Sequence, residues 1–317
     1  MEKVSFVIPC YRSENTLEKV VEEIKTTMKQ LHQYTYEVIL VEDASPDDTW
    51  QTIERIVQKE ENVTGISFAK NFGQHSALMA GFHYVQGDIV VCLDDDGQTP
   101  AGEVGKFLEK IAQGDDVVYA SYEDKKHGGV RNLGSMINSK MTEWLLEKPR
   151  ELYVSSYFAA RRFVIDEVMK YENSYPYVLG LILRSTKRIG NVPVNHRERF
   201  KGQSGYSMKK LLSLWINGFT AFSVKPLRVV TFAGVIVAFS GVLYAIWTII
   251  KKVVFAMAPV GWSSIMAVLL ILGGMILFVL GMIGEYIGRI YISINNAPQY
   301  VVREEKRSKK QIKNEEK

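Results

Sequence analysis

The sequence predicts an α/β protein: a Rossmann-like, mostly parallel sheet domain followed by an interfacial helix and two membrane-crossing helices. Three observations predict it. Apolar, β-branched runs alternate with stretches of helical period as far as about residue 206. Acidic clusters directly follow two of those runs. Beyond Lys225 the composition turns overwhelmingly apolar until Ile292.

The strand-like runs are Val4–Pro9, Glu37–Val41, Thr64–Phe68, Ile89–Leu93 and Asp116–Ala120. Between them Asn15–Leu31, Asp47–Gln58, Ser76–Tyr84 and Glu103–Ala112 carry helical periodicity. Alternation of this kind predicts a parallel sheet covered on both faces, with ligands at the carboxyl ends of the strands. No G-x-G-x-x-G follows the first run and there is no G-x-x-x-x-G-K-[ST] loop, which argues against a dinucleotide oxidoreductase and a P-loop enzyme.

The chain is 47% hydrophobic and 23% charged, a balance that hides two different parts joined end to end. Residues 1–206 form the soluble domain, 207–226 an amphipathic segment, 227–292 the apolar region, and 293–317 a charged cytoplasmic tail, of which Arg303–Lys317 is expected to be mobile. A net charge of +4 without a concentrated basic face excludes nucleic acid as the expected partner. The basic residues gather beside the apolar region, as Lys209, Lys210, Lys225 and Arg228 before it and Arg289 within its end. Such flanks suit the anionic cytoplasmic leaflet. Cys10 and Cys92 each lie inside an apolar run and read as buried free thiols of a reducing compartment. Met1-Glu2-Lys3 leads straight into the first strand, unlike a secretory signal.

The uncharged run Val229–Ile250 is long enough for a span, which takes about 20 residues. Lys251-Lys252 closes it, Pro259 and Gly261 mark a turn, and a second span runs from about 262 to 284. Two spans place the soluble domain and both termini on one side, the cytoplasmic one. Ser207–Val224 sets Leu211, Leu214, Trp215 and Phe219 among lysines, the pattern of a helix lying in the bilayer interface. Gly284-x-x-x-Gly288 is a spacing that supports close helix packing and leaves a homo-oligomer open.

Polar groups crowd the expected strand ends: Pro9-Cys10-Tyr11, then Glu42-Asp43-Ala44-Ser45, then Asp94-Asp95-Asp96-Gly97-Gln98. Three consecutive carboxylates repel one another, and a hard divalent cation offsets that repulsion. Mg²⁺ or Mn²⁺ is often held by one or two carboxylates plus substrate phosphates. The competing reading is a solvated acidic turn.

Pro9-x-Tyr11, Val41-Glu42-Asp43-x-Ser45, Lys70-Asn71-Phe72-Gly73 and Asp94-x-Asp96-Gly97-Gln98 together resemble the family 2 glycosyltransferases of GT-A fold, in the polyprenyl-phosphate subfamily. Arg197 to Tyr206 and Gly284 to Tyr291 match its bacterial members, so the resemblance covers essentially the whole chain. It implies a hexosyltransferase that moves a sugar, with inversion, from a nucleotide-sugar donor, a UDP-sugar by default, to undecaprenyl phosphate at the membrane. It also implies a nucleoside pocket of Pro9, Tyr11, Val41 and Asp43, and donor contacts from Asp94, Asp95 and Gln98. Asp94, Asp96 and Gln98 would form the metal site, with Asp96 the direct ligand. Arg199, and more weakly Arg131, would face the donor phosphates; Asp96, Asp94 and Arg199 would carry catalysis. Lys209, Lys210, Arg228 and above all Arg289 would hold the lipid phosphate.

The chain departs from the family at three positions. Ser156 stands where many relatives have a carboxylate, Gly205 where they have Lys, and Tyr122 where they have Arg. These leave the sugar open and keep an alternative alive, a catalytically impaired membrane scaffold that binds nucleotide or lipid. A processive synthase is disfavoured because no Gln-x-x-Arg-Trp motif is present.

Overall fold

Alternate residues of the first strands face opposite layers, and that alternation builds two cores. Val4, Phe6, Ile8, Val38, Leu40 and Val91 belong to one; Val7, Ile39, Val41, Val90 and Cys92 belong to the other. The computed structural model describes residues 1–122, 149, 151–195, 197, 261–295 and 297–308, with scattered positions between 231 and 250.

The strands are β1 (Glu2–Cys10), β2 (Tyr34–Glu42), β3 (Val63–Phe68), β4 (Ile89–Cys92), β5 (Val117–Tyr122), β6 (Phe158–Arg161), β7 (Ile189–Val194) and β8 (Val302–Arg307). They form one sheet in the order β7-β5-β6-β4-β1-β2-β3-β8. β4, β1, β2 and β3 run parallel, β6 is antiparallel to both β4 and β5, and β8 is antiparallel to β3. The helices are α1 (Leu17–Gln30), α2 (Thr49–Lys59), α3 (Gln74–Phe82), α4 (Val104–Ala112), α5 (Arg162–Met169), α6 (Val178–Ser185) and α7 (Trp262–Ile294). α1, α2 and α4 cover the first core; α3, α5 and α6 cover the second. All five expected strands and four expected helices are present, with ends moved by a few residues. Cys10 and Cys92 are buried free thiols, and burial pushes both well above the usual thiol range.

Winding β1→β2→β3 to one side and then placing β4 on the other puts a topological switch point between β1 and β4. In open α/β sheets the ligand crevice lies there, outside the carboxyl ends. A separate cavity of about 650 Å³ opens at the amino ends, lined by Lys3, Glu37, His83, Tyr84, Tyr300 and Arg307 among others. It lies at the opposite end of the strands from the acidic clusters.

The charged tail differs from expectation. Val302–Arg307 is a paired strand rather than a mobile segment. Its side chains alternate: Lys306 reaches Glu54 of α2 at 3.4 Å, while Glu305 accepts a hydrogen bond from the Tyr84 hydroxyl at 2.9 Å. β8 also covers what would otherwise be the open edge of β3, and lysine and glutamate suit an outermost strand. Residues 309–317 lie outside the described residues.

The chain divides into two compact units, Met1–Gly205 with Asn296–Lys317, and Tyr206–Asn295. Within the second, α7 continues ten residues past the expected end of the second span, through Glu285 and Arg289, and Pro298 follows its end. Its stretch Ile271–Gly288 is long and apolar enough to cross a membrane, and Ile271, Leu277 and Phe278 are exposed. The described positions from 231 to 250 are helical. The interfacial segment 207–226 lies outside the described residues.

Candidate functional site

Three strand ends meet at the switch point. Pro9 and Val41 are register partners on β1 and β2, and the Asp43 N–H donates to the Cys10 carbonyl at 3.0 Å. Arg12 and Ala44, just beyond these strands, both adopt positive φ (60° and 49°). Left-handed backbone in residues with a Cβ is costly and gathers at functional loops. The Arg12 N–H donates to Ser45 Oγ at 2.8 Å, tying the two turns together.

Asp43 is buried, and its carboxylate accepts the backbone N–H groups of Phe72 at 2.6 Å and Gly73 at 2.8 Å. Asn71 Nδ2 donates to the Asp43 carbonyl at 3.0 Å. Asp43 therefore holds the Lys70–Gly73 loop on the end of β2, and Gly73, at φ +91°, makes the turn into α3. Burial pushes the Asp43 carboxyl up to about 6, with the two N–H donors pulling the other way. The Val41 side chain is fully buried in the second core, so only its backbone is open to a ligand. Tyr11 is 44% exposed at the mouth.

The three carboxylates after β4 splay in different directions. Asp94 accepts from Gln74 Nε2 at 3.0 Å on one oxygen and from Ser156 Oγ at 2.7 Å on the other. Asp95 accepts the Tyr11 N–H at 2.8 Å and so latches β1 to β4. Burial pushes its carboxyl up to about 7, against that hydrogen bond. Asp96 accepts the Gln98 N–H at 2.9 Å across the turn at Gly97, whose φ is +75°. No group of three His, Cys, Asp or Glu side chains converges on a metal position among the described residues. The donors present are hard oxygens, which suit a cation that completes its shell from phosphates and water.

Sequence reasoning brought Pro9, Tyr11, Val41, Asp43, Asp94, Asp95, Asp96 and Gln98 to one crevice, and the structure places them there. It missed Gln74 and the role of Ser156, which it took only as a lost carboxylate. Gln74 directly follows the Lys70–Gly73 motif, and that adjacency is the signal that could have found it. Arg197 pairs with Glu23 at 3.0 Å, and its N–H reaches the Gln98 carbonyl at 3.4 Å, bringing the start of the Arg197–Tyr206 motif to the site. Arg199, Arg131, Lys209, Lys210 and Arg228 lie outside the described residues, and Arg289 lies in α7.

Residues 5–169 match the model of glycosyl transferase family 2, and residues 225–290 match that of the GtrB C-terminal hairpin. An undecaprenyl-phosphate 4-deoxy-4-formamido-L-arabinose transferase of Proteus mirabilis is 33% identical over 320 residues, covering 100% of this chain and 98% of the relative. One of the same name from Photorhabdus laumondii is 32% identical, covering 95% and 94%. Among solved structures, glucosyl-3-phosphoglycerate synthase from Mycobacterium tuberculosis, in complex with Mn²⁺, UDP-glucose and phosphoglyceric acid, superimposes with a TM-score of 0.51 at 18% identity. It covers 69% of this chain and 78% of that one. At that identity the likeness concerns the fold. Parallel sheet, switch-point crevice and full-length kinship agree: the chain belongs to glycosyl transferase family 2, within the polyprenyl-phosphate sugar transferases.

Proposed function

We propose that the protein transfers a sugar, with inversion, from a UDP-sugar to undecaprenyl phosphate at the cytoplasmic membrane face. The observation that carries this is the convergence of Asp43, the Asp95–Tyr11 latch, Asp94 and Asp96 at one switch-point crevice. The full-length kinship with undecaprenyl-phosphate transferases supports the acceptor.

The nucleoside would lie against Pro9, Tyr11 and the Val41 backbone beside Asp43. Asp96 and Asp94, with Gln98, would hold Mg²⁺ or Mn²⁺, which when bound supplies positive charge for the departing diphosphate. Asp94, oriented by Gln74 and Ser156, would face the donor's sugar-phosphate end. Arg199, and Arg131 more weakly, would add donor-phosphate contacts. The acceptor oxygen of a lipid phosphate is already anionic near neutral pH, so attack on the anomeric carbon needs no strong base. Absence of the family carboxylate at Ser156 is compatible with that nucleophile. Arg289, Lys209, Lys210 and Arg228 would steady the lipid phosphate.

Sheet connectivity supports the two-span reading. β7 and β8 belong to one sheet, so a chain leaving near residue 205 and returning at Asn296 crosses a bilayer an even number of times. If α7 crosses, a second crossing falls between 206 and 261, where the helical positions from 231 to 250 lie.

The test is transfer from a panel of radiolabelled nucleotide sugars, including the formamido pentose that names the relatives, to undecaprenyl phosphate with Mn²⁺, Mg²⁺ or EDTA. One lipid-linked monosaccharide, dependent on metal and lost with Asp96→Asn, is the expected result. Nucleotide binding without transfer from any donor would replace this reading with the scaffold alternative.

A further inference from the structure

We propose that Tyr300, six residues beyond the end of α7, is a positioning residue for the nucleotide donor, acting through Phe68 and Phe72 on the loop held by Asp43. It rests on reading Asp43 and its neighbours as the nucleoside pocket.

The route is continuous. Tyr300 stacks on Phe68 with ring centroids 5.4 Å apart and planes 6° from parallel. Phe68, the last residue of β3, meets Phe72 edge to face at 5.7 Å and 86°. The Phe72 and Gly73 N–H groups are the two that Asp43 accepts. A second contact clips the root of the same loop: the Ala69 N–H donates to the Val301 carbonyl at 2.9 Å, beside a register shift between Ser67 and Phe68.

Tyr300 is itself anchored from outside the sheet. Gln299 Nε2 donates to the Tyr171 and Asn173 carbonyls at 2.6 and 2.8 Å, and Ser174 Oγ donates to the Ala297 carbonyl at 2.5 Å. The segment is therefore fixed on the α5–α6 side before it reaches Phe68. Short loops with few backbone partners are the mobile parts of a fold. Here residues 69–73 are held at one end by Val301, just before β8, and at the other by Asp43. A loop already in its binding conformation loses less entropy when a ligand arrives. Removing the Tyr300 ring takes away the wall behind Phe68 and lets Phe72 relax, so the two N–H donors no longer stay aligned on Asp43.

The experiment is UDP and GDP titration by calorimetry on full-length detergent-solubilised protein, with steady-state transfer kinetics alongside. Tyr300→Ala should weaken UDP binding about tenfold and raise donor KM by the same factor, with kcat within twofold. Tyr300→Phe, which keeps the stack, should bind like the parent. Lys306→Ala, which removes the ion pairs of Lys306 to Glu54 of α2 and to Glu304 of its own strand without touching the aromatic stack, should lower Tm yet leave UDP affinity unchanged. A Tyr300→Ala protein binding UDP with parental affinity overturns the proposal. So does equal weakening in Lys306→Ala, which would reduce the effect to general stability, or equal weakening in Tyr300→Phe. Parent protein that binds neither UDP nor GDP overturns the nucleotide reading itself, a result distinct from parental binding that Tyr300→Ala leaves intact.

Discussion

The Ser156 hydroxyl donates to Asp94 Oδ2 at 2.7 Å, while Gln74 holds the other carboxylate oxygen at 3.0 Å. A carboxylate at position 156 would stand against Asp94 and repel it; a hydroxyl there fixes it instead. Position 156 thus contributes a neutral donor to the crevice, and it orients Asp94 without adding charge.

Ser156→Ala removes one hydrogen bond to a charged group, worth about 1.5–3 kcal/mol, and water recovers part of it. Transfer assays should show kcat/KM lower by about tenfold. Ser156→Asp adds like charge and should cost more, about a hundredfold at pH 8, with partial recovery at lower pH. An Asp variant as active as the parent would mean that Asp94 is not held through this contact.

Asp95 links stability to pH. Its carboxyl is pushed up to about 7 from 3.8, chiefly by burial, so folding takes up a proton between those values. The stability tied to that proton is fully present below about pH 4 and is lost as pH rises to about 7. Asp95→Asn can still accept the Tyr11 N–H without carrying charge. In EDTA, the Tm advantage of the variant should grow from pH 4 to 7 and then level off; a difference independent of pH contradicts the assignment.

Gly87 lies two residues before β4, beside the start of β1. A Cβ there would lie 2.5 Å from the Lys3 carbonyl oxygen and 2.9 Å from the Ser5 nitrogen, both backbone atoms. The start of β1 cannot yield without losing the Asp88 N–H bond to the Lys3 carbonyl at 2.7 Å. Gly87→Ala should destabilise by about 2–3 kcal/mol, a Tm fall of about 5–10 °C in differential scanning fluorimetry.

Hydrogen exchange separates a paired β8 from a free tail. Peptides spanning 302–307 should exchange slowly, like those of β3, because the ladder runs from Thr64↔Arg307 to Phe68↔Val302. Complete exchange within seconds would return this stretch to the mobile tail its composition suggests.

The inner strands were legible because each is buried on both faces and so reads as an apolar run of the right length. β6 reads Phe-Ala-Ala-Arg, without the β-branched residues that mark the equally short β4, and β7 carries Pro193 at an exposed position, so neither stands out from its surroundings. β8 was illegible for a stronger reason. Arg303, Glu304, Glu305, Lys306 and Arg307 bury little, and the strand is held by its backbone ladder and by partners far away in sequence. In the crevice, residue types told which groups gather but not how they divide the work. That Asp95 latches β1, and that Asp94 is held by Ser156, depends on where the Tyr11 N–H and the chain before β6 fall in space.

β8 has a consequence for the order of folding. It is synthesised after the apolar helices, so the nascent sheet waits with β3 as a bare edge while those helices leave the ribosome. Completion of the sheet is thereby a late event: most of its strands precede residues 206–295 in the chain, yet its last strand follows them. An amino-terminal fragment ending at residue 205 would keep that bare edge permanently. A soluble version of the enzyme would instead need its last strand rejoined by a linker replacing residues 206–295.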